Sequence, residues 1–300
     1  MIYDMFSFFN ELDVLEERLN YLYDKIDYFI ICESHYTHTG NKKSLNYSDN
    51  INRYKIYQNK IIHLVYDGQY KINNPWINEN EQRNYILSQF NFKYDDKLLI
   101  SDVDEIPSHQ FIDKLSNYNG NNILIAVQEL SFFWPNYRRN DLPYWIGGTR
   151  GFNFKHLKNL RNLNNKYSNT FLESSNQGVT LTKIRLTNIG IPISNGGWHL
   201  SYMGGRDSIK SKIKSFAHNE ESERIGINID HHINEFIDKG KNFFGSKEFY
   251  LTQGSFNAKF LISENKHSFK MNLFLHTKWL FYKYELISKI IIKYYVRMFL

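Results

Sequence analysis

Residues 97–107 read Lys-Leu-Leu-Ile-Ser-Asp-Val-Asp-Glu-Ile-Pro. An apolar run of strand length ends in the carboxylates Asp102, Asp104 and Glu105, and Pro107 stops the strand from continuing. A strand this apolar is expected in the interior of a sheet, with both faces covered. Carboxylates at the carboxyl edge of such a strand lie where open α/β sheets bind ligands. Two Asp residues at i and i+2 turn oxygens toward one hard cation that can also hold phosphate oxygens, as Mg²⁺ or Mn²⁺ does. The competing reading of the same residues is a solvated acidic turn.

The surrounding pattern supports an α/β fold. Ile2–Met5, Tyr28–Cys32, Ile61–Val65, Leu98–Ile100 and Ile123–Val127 are short apolar runs. Between them stand helical patterns, one with Leu12, Leu15, Leu19 and Leu22 as its stripe and Asn10 as its expected cap, another from Glu79 to Phe90 with Ile86, Leu87 and Phe90 inward. Strands alternating with helices predict a largely parallel central sheet flanked by helices. From about residue 131 the periodicity breaks into aromatic–glycine clusters, Phe132-Phe133-Trp134-Pro135, Trp145-Ile146-Gly147-Gly148 and Gly196-Gly197-Trp198-His199, which are expected as loops building a pocket. No linker or repeat divides residues 1–270, which are read as one domain.

Residues 271–300 differ. Leu280, Tyr284, Ile287, Ile291, Tyr295 and Met298 share one helical face, with Lys278, Lys283, Lys289, Lys293 and Arg297 on another. This predicts a basic amphipathic C-terminal helix, either docked on the protein's own core or lying on an anionic membrane surface. The net charge of +6 favours anionic partners without choosing among nucleotides, acidic lipids and nucleic acid. Cys32 is the sole cysteine, which excludes an intrachain disulfide and a cysteine-based zinc site. Residues 1–13 carry Asp4 and Glu11 and no basic stretch, so no signal peptide is expected there. No run reaches the roughly 18 apolar residues of a membrane span. A cytoplasmic protein, soluble or peripheral to a membrane, is the expectation.

Four motifs occur in order: Phe9-Asn10-Glu11-Leu12-Asp13-Val14-Leu15-Glu16-Glu17-Arg18-Leu19, Ile30-Ile31-Cys32-Glu33-Ser34, Ile100-Ser101-Asp102-Val103-Asp104-Glu105-Ile106-Pro107 and Gly197-Trp198-His199-Leu200-Ser201-Tyr202. Together they resemble glycosyltransferase family 17, the family of the β-1,4-mannosyl-glycoprotein 4-β-N-acetylglucosaminyltransferases, over residues 1 to about 245. The resemblance implies a GT-A-like architecture and an inverting transferase using UDP-N-acetylglucosamine, with Mn²⁺ or Mg²⁺ at the Asp-x-Asp motif Asp102-Val103-Asp104. The chain departs from the vertebrate members in its missing N-terminal anchor and lumenal cysteines. A bacterial or viral surface glycan or glycolipid is therefore a more fitting acceptor than an N-glycan.

Within that reading, Asp104 is the first choice for direct metal contact. Asp102 would act through water or hold ribose, Glu105 is a third candidate, and His199 would complete the shell or line the pocket. Trp198 would stack on a sugar or fill core. Glu33, at the end of a buried strand, would contact uridine or cap the following turn. Arg83 would grip diphosphate bidentately or pair with Glu79 four residues earlier. Arg150 is a weaker phosphate or acceptor candidate, and His218 would belong to a helix lining the site. An inverting transferase also needs a general base; Glu129 leads, with Asp141 and Glu173 as rivals.

Two other classes compete. A metal-dependent phosphatase of the haloacid-dehalogenase type also places Asp-x-Asp after a strand, but after its first strand, whereas three strand candidates precede it here. A basic nucleic-acid-binding module would use the positive charge and the aromatic residues. Against it, the carboxylate cluster repels phosphate unless a cation is bound, so nucleic acid is not expected as a partner.

Overall fold

The computed structural model describes residues 1–68, 74–133, 135, 137–139, 144–156, 181–215 and 249–251, with Tyr284 and Ser288. In chain order the elements are β1 (Ile2–Ser7), α1 (Leu12–Leu22), β2 (Tyr28–Ser34), the short turn α2 (Asn46–Asp49), β3 (Ile61–Tyr66), α3 (Pro75–Gln89), β4 (Lys97–Asp102), β5 (Glu105–Pro107) and α4 (His109–Ser116). They continue with β6 (Leu124–Phe132), β7 (Tyr137–Arg139), β8 (Tyr144–Trp145), β9 (Arg150–Asn153), α5 (Leu181–Leu186), β10 (Ile191–Ser201), α6 (Gly205–Ser215) and β11 (Phe249–Leu251).

The expected α/β architecture is borne out. β3, β2, β1 and β4 lie side by side and run parallel, and β10 runs parallel to β6. The sheet is mixed rather than largely parallel beyond that point, because β9 inserts antiparallel between β4 and β6, and β5, β7, β8 and β11 pair antiparallel. The central strands carry continuous apolar runs because both faces are covered. Phe29 and Ile31 join one core beneath α1 and α4, while Met5, Ile30, Leu98 and Ile100 join the other beneath α3 and α5.

Local chemistry explains the helix starts. The Asn74 side chain accepts from the amides of Trp76 and Ile77, with Pro75 in the first turn, so α3 starts four residues before Glu79. Ser108 accepts from the Phe111 amide and starts α4 directly after Pro107. α1 does not use Asn10 as its cap: the cap position is Glu11, with no side-chain cap bond, and the Asn10 side chain instead donates through Nδ2 to Ser211 Oγ at 3.1 Å.

The segment with Gly196-Gly197-Trp198-His199 is not a loop. It lies within β10, whose register against β6 shifts between Ile193 and Gly197. The glycine there has a steric reason: Gly197 has φ +132°, and a Cβ would stand 2.1 Å from the Ile106 carbonyl oxygen. That close approach is what lets β5 pair with β10 and face Glu105 toward His199. Of the predicted tail helix only Tyr284 and Ser288 are among the described residues. Among the described residues no helix is long and apolar enough to cross a membrane.

Candidate active site

The turn between β4 and β5 is built around a buried arginine. Arg18, from α1, is wholly buried and donates to both carboxylate oxygens of Asp4 on β1, at 2.8 and 2.6 Å. It also donates to Ser101 Oγ at 2.6 Å and to the carbonyls of Asp102, Val103 and Glu105 at 3.1, 3.2 and 3.0 Å. A buried charge is tolerable only when paired and hydrogen-bonded throughout, and this one is. With its carbonyls bound to one guanidinium, the turn places Asp102, Asp104 and Glu105 on the wall of a pocket of about 500 Å³. Arg18 stands within the first of the four motifs, but nothing local in the sequence pairs it with Asp4.

Each carboxylate has a different task. Asp102 is 40% exposed and bridges Arg83 at 2.8 Å and Arg185 at 2.5 Å. Burial alone would raise its carboxyl, but Arg185 and then Arg83 outweigh that and hold it well below the usual carboxylate range. Arg83 also pairs with Glu79 at 2.8 Å, so both readings of that arginine hold at once: it is an ion-pair partner along α3 and a cation on the pocket wall.

Glu105 is corrected as a metal candidate. Its side chain is buried, one oxygen accepts from the Asp102 amide at 2.8 Å, and the other accepts from Trp145 Nε1 at 2.9 Å and Arg185 at 2.7 Å. It shapes the turn, with three of its roughly four lone-pair sites already taken by these donors.

Asp104, from the opposite side of the turn, faces Lys212 of α6 at 2.7 Å and His199 Nε2 at 3.7 Å. Lys212 also reaches Glu11 at 3.3 Å. Burial works against the Lys212 charge, but Asp104 and then Glu11 raise its affinity for the proton. His199 Nδ1 is buried and has no hydrogen-bond partner. Nothing in the sequence around Arg185 or Lys212 marks either as a site residue. These two stand 83 and 108 residues away from the carboxylates they meet.

Several expected site residues lie elsewhere. Glu33 is buried and accepts from the amides of Tyr47 and Ser48 and pairs with His63 at 3.0 Å, so it anchors the turn α2 and does not reach the pocket. Arg150 is buried, with its guanidinium donating to the carbonyls of Thr187, Gly148 and Thr149. Burial, with Arg185 nearby, lowers it to about 9. It ties the end of α5 to the loop before β9 and touches no open space.

Strand alternation settles two more positions. His199 and Ser201 of β10 line the pocket, so Trp198 points to the other face, where it packs edge-on against Tyr21 at 5.4 Å and fills core. Leu130 and Phe132 of β6 line the pocket, which places Glu129 on the opposite face. Its candidacy as general base falls on that geometry. Asp141, Glu173 and His218 lie outside the described residues.

Among the described residues, no three His, Cys, Asp or Glu side chains are gathered closely enough to cage a metal ion. A diphosphate-bound Mg²⁺ or Mn²⁺ needs no such cage, since one or two protein groups suffice when phosphates and water fill the rest of its shell. Asp104 and His199 converge on the pocket, and the partnerless Nδ1 leaves the imidazole orientation unfixed by any other bond. These two residues fit such a cation; Glu105 does not, and Asp102 is already neutralised by two arginines.

The pocket therefore combines an acidic turn at a strand's carboxyl edge with fixed cations from three helices, the arrangement expected where a phosphate-bearing substrate is held. Residues 1–142, which hold the first three of the four motifs, match the family model of glycosyltransferase family 17, and the resemblance is borne out. The β-1,4-mannosyl-glycoprotein 4-β-N-acetylglucosaminyltransferases of Rattus norvegicus and Homo sapiens are each 23% identical over 274 residues, covering 80% of this chain and 48% of theirs. The chain thus spans about half the length of the curated relatives it matches.

Among solved structures, the galactosyltransferase LgtC in complex with donor and acceptor sugar analogs aligns with a TM-score of 0.36 at 9% identity, over 67% of this chain and 73% of that one. TarS from S. aureus aligns with a TM-score of 0.30 at 16% identity, over 53% and 48%.

Proposed function

We propose that this chain is an inverting glycosyltransferase of GT-A-like architecture. It would transfer N-acetylglucosamine from UDP-N-acetylglucosamine to a hydroxyl of a glycan or glycolipid acceptor. The observation that carries the reading is the clustering of Asp102 and Asp104 with Arg83, Arg185 and Lys212 around one pocket; the two aspartates and Arg83 lie in the part of the chain that matches the family.

Breaking the bond between the sugar and a nucleoside diphosphate leaves negative charge on the departing phosphate. Groups already aimed at that charge lower the barrier most. Arg83 and Arg185 are held in place by Asp102, so they are pre-positioned cations that need no rearrangement when the charge develops. Lys212 is held by Asp104 and Glu11 and is the third. A divalent cation held by Asp104 and His199 would add Lewis-acid stabilisation of the same oxygens. Trp145 and Gly147, tied down through Glu105 and Arg185, form the pocket wall beside the turn. For the base that removes the acceptor proton, Asp141 and Glu173 are the proposals that stand.

Thermal-shift screening with UDP-, GDP- and CMP-sugars, each with and without Mn²⁺, tests the donor class, since a ligand that binds the native state raises its stability by mass action. A metal-strengthened shift with UDP-N-acetylglucosamine, together with transfer or slow hydrolysis of that sugar, supports the reading. Preference for a GDP- or CMP-sugar would replace the donor, and turnover of simple phosphoesters would replace the reaction class.

A further inference from the structure

Besides the cations and carboxylates, the pocket is lined by Phe8, Tyr36, Thr37, His38 and Trp76, from the segments that follow β1 and β2 and from the start of α3. A diphosphate belongs with the cations, so in a nucleotide-sugar site these aromatic and polar side chains are left to meet the base.

There the hydrogen-bonding sense of His38 can be worked out. Gln82 donates through Nε2 to the buried Cys32 carbonyl at 2.8 Å, which fixes its amide so that Oε1 is the acceptor. His38 Nε2 stands 3.3 Å from that Oε1, so Nε2 must carry the hydrogen. The chain also holds His38 by its backbone, whose carbonyl accepts from the Asn78 amide at 2.8 Å.

Nδ1 is then the remaining ring atom. Burial lowers the affinity of this imidazole for a second proton; Glu79 works against that shift, and Arg83 reinforces it. In the neutral ring Nδ1 presents a lone pair. Its nearest carboxylate oxygen is Glu79 Oε2 at 3.9 Å, too far for a hydrogen bond, while the other oxygen of Glu79 is taken by Arg83. Nδ1 and Glu79 Oε2 thus face each other as acceptors on the pocket wall, and a ligand that brings an N–H there can donate to Nδ1.

We propose that His38, with Glu79 beside it, accepts the ring N3–H of a uracil and so selects a uridine donor over its cytidine counterpart. This rests on the nucleotide-sugar reading of the pocket and adds the residue that would read the base. Uracil offers N–H at ring position 3, where cytosine offers a lone pair that would oppose Nδ1. The two bases are otherwise nearly the same shape, so the discrimination has to come from the sense of this hydrogen bond.

The test is competitive binding of UDP, CDP, 3-methyluridine diphosphate and 2′-deoxy-UDP to the full chain, with inorganic pyrophosphate as reference. The wild type is expected to favour UDP over both CDP and the 3-methyl compound by at least about tenfold, the scale of one hydrogen bond lost or opposed. His38→Ala should bring the three within about twofold of one another while leaving pyrophosphate binding unchanged, which also shows that the variant is folded. Equal binding of UDP and CDP by the wild type overturns the proposal without needing any variant. If 2′-deoxy-UDP is the weakened ligand instead, the acceptor pair serves the ribose and the assignment to the base is wrong. Binding of pyrophosphate with no preference for any nucleoside defeats the base reading alone, and binding of none of these compounds defeats the donor reading with it.

Discussion

Replacing Arg18 by Met removes the guanidinium while keeping an unbranched apolar stem of similar reach. The side chain is fully buried and its six hydrogen bonds run to Asp4, Ser101 and three carbonyls of the acidic turn. Its loss leaves the Asp4 carboxylate, itself 0% exposed, without a counter-charge. Breaking a buried pair from one side costs about 3–5 kcal/mol. The freed carbonyls add to this, but the contributions do not sum, because the turn can relax and admit water. An effect near the upper end of that range is expected.

A typical domain has about 5–15 kcal/mol in hand, so the variant should remain largely folded but markedly weakened. Urea unfolding followed by tryptophan fluorescence should show a lower midpoint at an unchanged slope. The double variant Asp4→Leu with Arg18→Met removes both charges and should recover part of the loss, while donor binding stays impaired because the turn has lost its central support. A single variant within about 1 kcal/mol of wild type would refute the claim that Arg18 organises the turn. So would a double variant less stable than the single one.

Other outcomes follow from the same geometry. Asp104→Asn should abolish sugar transfer and the Mn²⁺ dependence of donor binding and should also lower the melting temperature, because Asp104 is buried and pairs with Lys212; transfer that survives both this change and EDTA would reject Asp104 as the cation ligand. Asp102 has a depressed folded-state pKa, so its ion pairs contribute stability that is fully present above the ordinary carboxylate pKa of about 3.9 and lost as pH falls through the lower, folded-state value. The melting-temperature gap between wild type and Asp102→Asn should accordingly be roughly constant from about pH 5 to 8 and close only in stronger acid; a gap that closes near neutrality would contradict the arginine clamp. Gly197→Ala places a Cβ against the Ile106 carbonyl at a positive φ and should cost about 1–3 kcal/mol or more in urea unfolding; a neutral result would mean that β5 and β10 do not pair this closely. If the tail helix is a membrane anchor, the full chain sediments with anionic liposomes at low salt and truncation after Met271 ends this at an unchanged melting temperature, whereas a destabilised truncation would show that the tail packs on the protein itself.

Much of the architecture was legible because it depends on short-range pattern. The runs Tyr28–Cys32 and Leu98–Ile100 are apolar at every position, which fits only strands covered on both faces, and each became a central parallel strand. The acidic turn was legible for the same reason, as polarity appears abruptly where a buried strand emerges. β10 was not, because Gly196 and Gly197 read as loop residues; their role depends on how closely β5 approaches, and β5 lies some ninety residues earlier in the chain, a separation that only the pairing of Gly197 with Pro107 reveals.

The sequence by itself determined that strands and helices alternate, that one strand ends in a cluster of carboxylates, and which family residues 1 to about 245 resemble. Tertiary structure alone decided what each charge does. Local spacing could suggest that Arg83 pairs with Glu79, but not that it also clasps Asp102, that Arg185 and Lys212 arrive from distant helices, or that Arg150 and Glu33 are spent on holding backbone. The physical reason is that hydrophobic periodicity is written into neighbouring residues, whereas an ion pair is a meeting of two side chains whose separation along the chain carries no information about their separation in space.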